Sequence, residues 1–171
     1  MKKFCAFMLV GVFALLQVVG QNHLGKTPLQ FDGVPLTSNY EQFFDALSKK
    51  GYEPINVNGN VFFYGIYLGE QVLIQPMSGP SPAINVLTGD HFNISQATAK
   101  INELRPKLEK IYGGEFYAKE DDCYSMNLKN GRIVLGYVKL NDIYVVMMGF
   151  VDEEPAVATI PDDSISIRNF R

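Results

Sequence analysis

Histidine and cysteine, the side chains most often recruited for nucleophilic and metal chemistry, are scarce: the 171-residue chain holds two of each. A thiol becomes a nucleophile when a base or a nearby cation favours its thiolate. Cys123 instead follows Glu120-Asp121-Asp122, whose charge disfavours the thiolate, so pairing with His91 is not expected and Cys123 reads as an ordinary strand cysteine. The acidic clusters at 120–122, 152–154 and 162–163 offer oxygens to a cation. Calcium takes six or more from one loop with spaced ligands, a central glycine and a closing glutamate, and none of the clusters has that pattern. No Gly-x-Ser-x-Gly elbow presents a serine, and the glycines sit at turns and helix ends rather than in a phosphate-cradling loop. Asn93-Ile94-Ser95 has the form of a glycosylation sequon, but its place at a helix start explains it without sugar. We therefore expect no catalytic residue, no metal site and no cofactor, and a protein that is not an enzyme.

Composition narrows the partners. Fifteen basic against eighteen acidic residues give a formal charge of −3, which provides no basic surface for nucleic acid. A hydrophobic content of 47% suits a folded globule and is too high for a disordered chain.

Lys2 and Lys3 precede an apolar or small run from Phe4 to Leu16, and Val18-Val19-Gly20 supplies the residues of a cleavage site. This pattern predicts a secretory signal peptide over 1–20, cut before Gln21, and no membrane span after cleavage. Cys5 lies at the start of the apolar run rather than just after it, which speaks against a lipoprotein. The expected location is periplasmic or secreted. Cleavage leaves Cys123 alone, so no internal disulfide is available and stability must come from a core. A chain of about 150 residues buries roughly 70% of its unfolded surface, enough for one.

The elements that must position any site follow from periodicity. Residues 21–37 are polar, with prolines and glycines, and read as an extended lead-in. Ser38-x-x-Glu41 has the form of a capping box. Tyr40, Phe43, Phe44 and Leu47 then repeat at helical spacing, and Gly51 stops the helix. Four apolar runs follow, at 52–57, 60–67, 70–76 and 83–87, divided by Asn58-Gly59, Leu68-Gly69 and a proline-rich loop. The order restarts with Ser95 as cap and a stripe of Ala97, Ile101, Leu104, Leu108 and Ile111, in which Pro106 is expected to kink or divide the helix. Gly113-Gly114 ends it, and runs at 115–118, 123–128, 132–140 and 143–150 follow. The units are thus 38–90 and 91–151, each a helix plus four strands, with an acidic, partly ordered tail over 152–171. Two sheets of consecutive hairpins, each backed on one face by its own helix, make an α+β tandem repeat.

This order resembles the tandem helix-plus-four-strand plan of the β-lactamase-inhibitor-protein-like fold, over residues 38–150. Phe31-Asp32-Gly33-Val34-Pro35-Leu36, followed by Phe43, Leu47 and Gly51-Tyr52, is similar to the opening of small exported proteins of Bacteroides-type bacteria. The first resemblance implies that one sheet face meets a protein partner while helices back the other. The second implies export.

Hairpin register sorts the second unit's faces. A turn at Asn130-Gly131 pairs Leu128 with Ile133, and one at Asn141-Asp142 pairs Leu140 with Ile143. One face then carries Tyr124, Met126, Leu128, Ile133, Leu135, Tyr137, Val146, Met148 and Phe150, and is assigned to the core. The other carries Cys123, Ser125, Asn127, Lys129 and Arg132 beside Val134, Val138, Val145 and Met147. An apolar band with a polar rim has the composition of an interaction surface. Arg132, Val134, Val138, Val145 and Met147 are therefore the candidate partner-binding residues. In the first unit, Phe62, Tyr64 and Ile66 oppose Phe63 and Tyr67, and both faces are apolar. The expected function is a non-enzymatic, possible inhibitor-like module binding a protein partner through this face. The alternative is a small-ligand or peptide carrier, with Tyr64 and Tyr67 lining an aromatic cleft between the units.

Overall fold

A computed structural model describes residues 27–153 apart from 78, 80 and 121. The expected signal peptide and most of the acidic tail lie outside the described residues. The first elements among the described residues form a small hairpin, β1 (Gln30–Phe31) and β2 (Val34–Pro35). Helix α1 (Tyr40–Lys49) leads to β3 (Glu53–Val57), β4 (Asn60–Tyr67), β5 (Glu70–Met77) and β6 (Ala83–Thr88). Helix α2 (Ile94–Tyr112) leads to β7 (Tyr117–Glu120), β8 (Cys123–Leu128), β9 (Gly131–Leu140) and β10 (Ile143–Val151).

The fold is α+β, and its strands differ from the two expected sheets in one respect. β3 to β10 form a single eight-stranded sheet, ordered β3-β4-β5-β6-β10-β9-β8-β7. The join is the antiparallel pairing of β6 with β10, from Ala83 opposite Val151 to Leu87 opposite Met147. Pairing the two sets edge to edge satisfies backbone groups that each four-stranded sheet would leave open.

Turn chemistry explains the hairpins. Asn58 and Gly59 both have positive φ, as do Leu68 and Gly69, and each pair forms a two-residue turn between directly paired strands. The Asn130-Gly131 turn lies elsewhere. Leu128 pairs with Gly131 and Met126 with Ile133, so the turn residues are Lys129 and Asn130. Gly131 belongs to the strand because the backbone crowds it: a Cβ there would stand 2.3 Å from the Val151 carbonyl oxygen. The register moves by two residues, which keeps every side chain on its expected face.

The helix starts also shift. Asn39, not Ser38, caps α1, its side chain accepting from the Gln42 N–H. Asn93, not Ser95, caps α2, and with Gln96 it completes a reciprocal capping box. Pro106 sits on an exposed position of α2, which runs through it undivided.

The lead-in is part of the core rather than a plain extended segment. Leu29, Phe31, Val34 and Leu36 are buried because the Asp32-Gly33 turn, with positive φ at both residues, folds their alternating side chains to one side. They join Phe43 and Leu47 of α1, Ala97, Ile101, Leu104 and Leu108 of α2, and one face of the sheet in a continuous cluster. That sheet face includes Phe63, Val72, Ile74, Val86, Met126, Ile133, Leu135, Val146, Met148 and Phe150. Both helices therefore cover the same face. Glycine sorts β4: a Cβ on Gly65 would meet the Tyr52 ring at 2.3 Å, so Phe63, Gly65 and Tyr67 face the core and Phe62, Tyr64 and Ile66 the other side.

Candidate functional site

Alternation along the strands, interrupted only by the irregularity between Ala118 and Glu120 of β7, leaves one broad face of the sheet without a helix among the described residues. Paired positions give rows that cross it. One row runs Glu53, Tyr64, Leu73, Leu87, Met147 and Gly136. A second runs Gln75, Asn85, Gly149, Val134, Ser125 and Tyr117. Gly136 on β9 and Gly149 on β10 bring no side chain to the face, and both are buried.

Exposure decides which residues are ready for a partner. Among the described residues, eight large apolar side chains stand exposed. Six of them, Ile55, Val57, Tyr64, Ile66, Tyr117 and Leu140, lie on the helix-free face by their register. Ile66 is the most open, at 69%.

The five residues expected from the sequence are all on this face and adjacent. Val138 lies opposite Val145, Met147 opposite Gly136, and Arg132 opposite Val151. Their roles need correction. Val145 and Met147 are already buried, at 5% and 9% exposure, and Arg132 is engaged with Glu153 at 3.0 Å. Val134 and Val138 are half-buried. The accessible apolar groups are instead Tyr64 and Ile66 toward one edge and Leu140 toward the other end of β9. Sequence reasoning missed the first two because it found no signal to sort β4; Gly65 was that signal.

Tyr64 and Tyr67 do not line one cleft. Tyr67 faces the core side, where its hydroxyl lies 3.1 Å from that of Tyr112. Tyr64 borders a separate cavity of about 290 Å³ with Lys50 and Ile66. Tyr67 does border a larger cleft of about 640 Å³, which contains residues of both units: Ile66 and Leu68 from one, Ile111, Tyr112, Leu128 and Asn130 from the other.

The polar groups beside this cleft centre on the Asp32 turn. The Tyr52 hydroxyl donates to Asp32 Oδ2 at 3.1 Å. Burial, reinforced by the Asp32 charge, pushes the Tyr52 hydroxyl well above the usual phenol range. Burial likewise raises Tyr67, with Tyr112 as a further cause, and raises Tyr112. All three therefore remain neutral donors at physiological pH.

His91 is exposed in the loop between β6 and α2, and Cys123 is half-buried at the start of β8 on the helix-free face. Among the described residues no group of three or more His, Cys, Asp or Glu is placed to hold a metal. None of the described helices is long and apolar enough to cross a membrane. Comparison with protein-family models, curated proteins and solved structures finds no match.

Proposed function

We propose that this protein is an exported, non-enzymatic binding module that engages a protein partner through the helix-free face of its sheet. One observation carries the reading: among the described residues, six of the eight exposed large apolar side chains lie on that face, four of them side by side on β3 and β4. Covering an exposed Ile or Leu contributes about 1.5–3 kcal/mol, so a few such contacts supply substantial association energy. The order of helix, four strands, helix, four strands, with the helices on one face and the other bare, supports the likeness to the inhibitor-like tandem fold. The leader over 1–20 supports export, which the N-terminal mass of the mature protein checks directly.

The test is partner capture from the native periplasm or secretome by tagged mature protein, beside an Ile66→Asp/Leu140→Asp variant. Both positions are exposed, so the variant is expected to keep its thermal midpoint within about 3 °C, since surface changes cost little. A protein retained by the wild type and released by the folded variant supports the reading. Equal retention by both places binding elsewhere and overturns it.

A further inference from the structure

The cleft of about 640 Å³ shares Ile66 with the helix-free face, and its chemistry goes beyond a protein-docking role. Its volume falls within the roughly 300–1,000 Å³ of small-molecule sites. Two features of its lining specify an occupant.

The first is apolar. Ile66 and Ile111 are the two most exposed large apolar side chains among the described residues, at 69% and 54%. They come from different secondary elements, one on β4 and one on α2, yet both border this cleft, together with Leu68 and Leu128.

The second is a proton. Tyr67 and Tyr112 also border the cleft, and their hydroxyls are within hydrogen-bond distance of each other. Each hydroxyl carries one proton. One of the two is used in the bond between them, whichever tyrosine donates. The other has no protein acceptor among the described residues. The pair presents a net donor to the cleft.

The charge of the occupant follows from the ionised groups at this end of the cleft. The Asp32 carboxylate, which accepts from Tyr52, and the Lys50 ammonium both border it, so their opposite charges leave no net attraction for an anion. An ammonium group has no lone pair to accept the free proton.

We infer that the cleft binds a small neutral molecule with an apolar body and one hydrogen-bond-accepting oxygen, its body between Ile66 and Ile111 and its oxygen on the Tyr67–Tyr112 pair. The experiment uses three probes of similar size: acetophenone, with apolar ring and carbonyl; ethylbenzene, without the acceptor; and benzoate, with acceptor and charge. Binding to the mature protein is read from the methyl signals of Ile66 and Ile111 by NMR titration. Acetophenone is expected to shift both signals saturably. Ethylbenzene should bind about 3- to 10-fold more weakly, the worth of one neutral hydrogen bond, and benzoate no more tightly than acetophenone.

The tyrosine variants sharpen the test. Tyr67→Phe or Tyr112→Phe alone leaves one phenolic proton, so either should keep the preference for acetophenone over ethylbenzene. Only the double variant should erase it. If the double variant fails to fold, the single variants and the wild type still decide. Unshifted Ile66 and Ile111 signals with acetophenone, or equal affinity for acetophenone and ethylbenzene in the wild type, overturns the inference. The two proposals share Ile66 but are told apart by Leu140, which the cleft does not include: release of the partner by Leu140→Asp alone concerns only the face.

Discussion

Replacing Gly65 by alanine should be costly out of proportion to one methyl group. The added Cβ would stand 2.3 Å from Tyr52 Cδ1 and 2.8 Å from Cε1, where carbon atoms need about 3.5–4.0 Å. The ring must therefore move by more than an ångström, and little lets it. Tyr52 is 4% exposed, packs 5.8 Å from Phe31, and is fixed at its tip by Asp32. Overpacking of this kind costs about 1–3 kcal/mol, and losing a hydrogen bond to a carboxylate adds about 1.5–3 kcal/mol. Alanine recovers roughly 0.5–1 kcal/mol of backbone entropy in a strand. The net loss is about 2–4 kcal/mol, or a midpoint lowered by roughly 5–15 °C for a chain of this size. Thermal and urea unfolding followed by circular dichroism measure it. Adding Tyr52→Leu removes the obstructing ring, so the double variant should be less destabilised than the sum of the two single changes by at least about 1 kcal/mol. A Gly65→Ala protein melting within about 1 °C of the wild type, or strictly additive losses in the double variant, would refute the packing described for this face of β4.

Further outcomes follow from the same structure. Val145→Asp should destabilise the protein by several kcal/mol, since it buries a charge in a site only 5% exposed, in contrast to the exposed Ile66 and Leu140; a small change in urea midpoint would show that the site is open. Asn93→Ala should cost about 1 kcal/mol by removing the capping box of α2, read by equilibrium unfolding. Hydrogen bonds from Lys100 and Lys107 hold Glu103 at about 2, below the ordinary 4.5. Its contribution is therefore complete above pH 4.5 and is lost as pH falls toward 2; with the side chain 45% exposed, screening keeps it under about 1 kcal/mol. Glu103→Gln should flatten the stability profile over that interval and leave the slope above it unchanged.

Much of the local structure was legible because local rules decide it. Asn58-Gly59 and Asn141-Asp142 turn where their residue types allow positive φ, and the two helical stripes bury Phe43, Leu47, Ala97, Ile101, Leu104 and Leu108. Helix starts were less sharp, since Ser38 and Asn39, or Asn93 and Ser95, are all competent caps and neighbouring packing chooses between them. Glycine was read too narrowly. Gly131 and Gly65 serve close approach rather than a turn, and what approaches them, the Val151 carbonyl and the Tyr52 ring, is distant or unassigned in sequence. The Asp32-Gly33 hairpin carried a recognisable signal, hidden by the polar residues around it. The face candidates were placed on the correct side by parity alone, but parity does not reveal exposure, so Val145 and Met147 were weighted above Ile66. The β6–β10 join had no local signature, because nothing in either strand names its partner.

That join also dictates an order of events during synthesis. β6 ends at Thr88, while β10, its neighbour on the open side, begins at Ile143. A growing chain therefore holds β3 to β6 with an unpaired edge until more than fifty further residues have emerged. Closing so long a loop is slow relative to local hairpin formation, and an exposed edge invites pairing with other chains in the interval. Val146, Met148 and Phe150, all fully buried, arrive with the last of the described strands. The sheet and its core are thus completed together and late, so truncations before β10 should yield aggregation-prone fragments rather than a stable half-molecule.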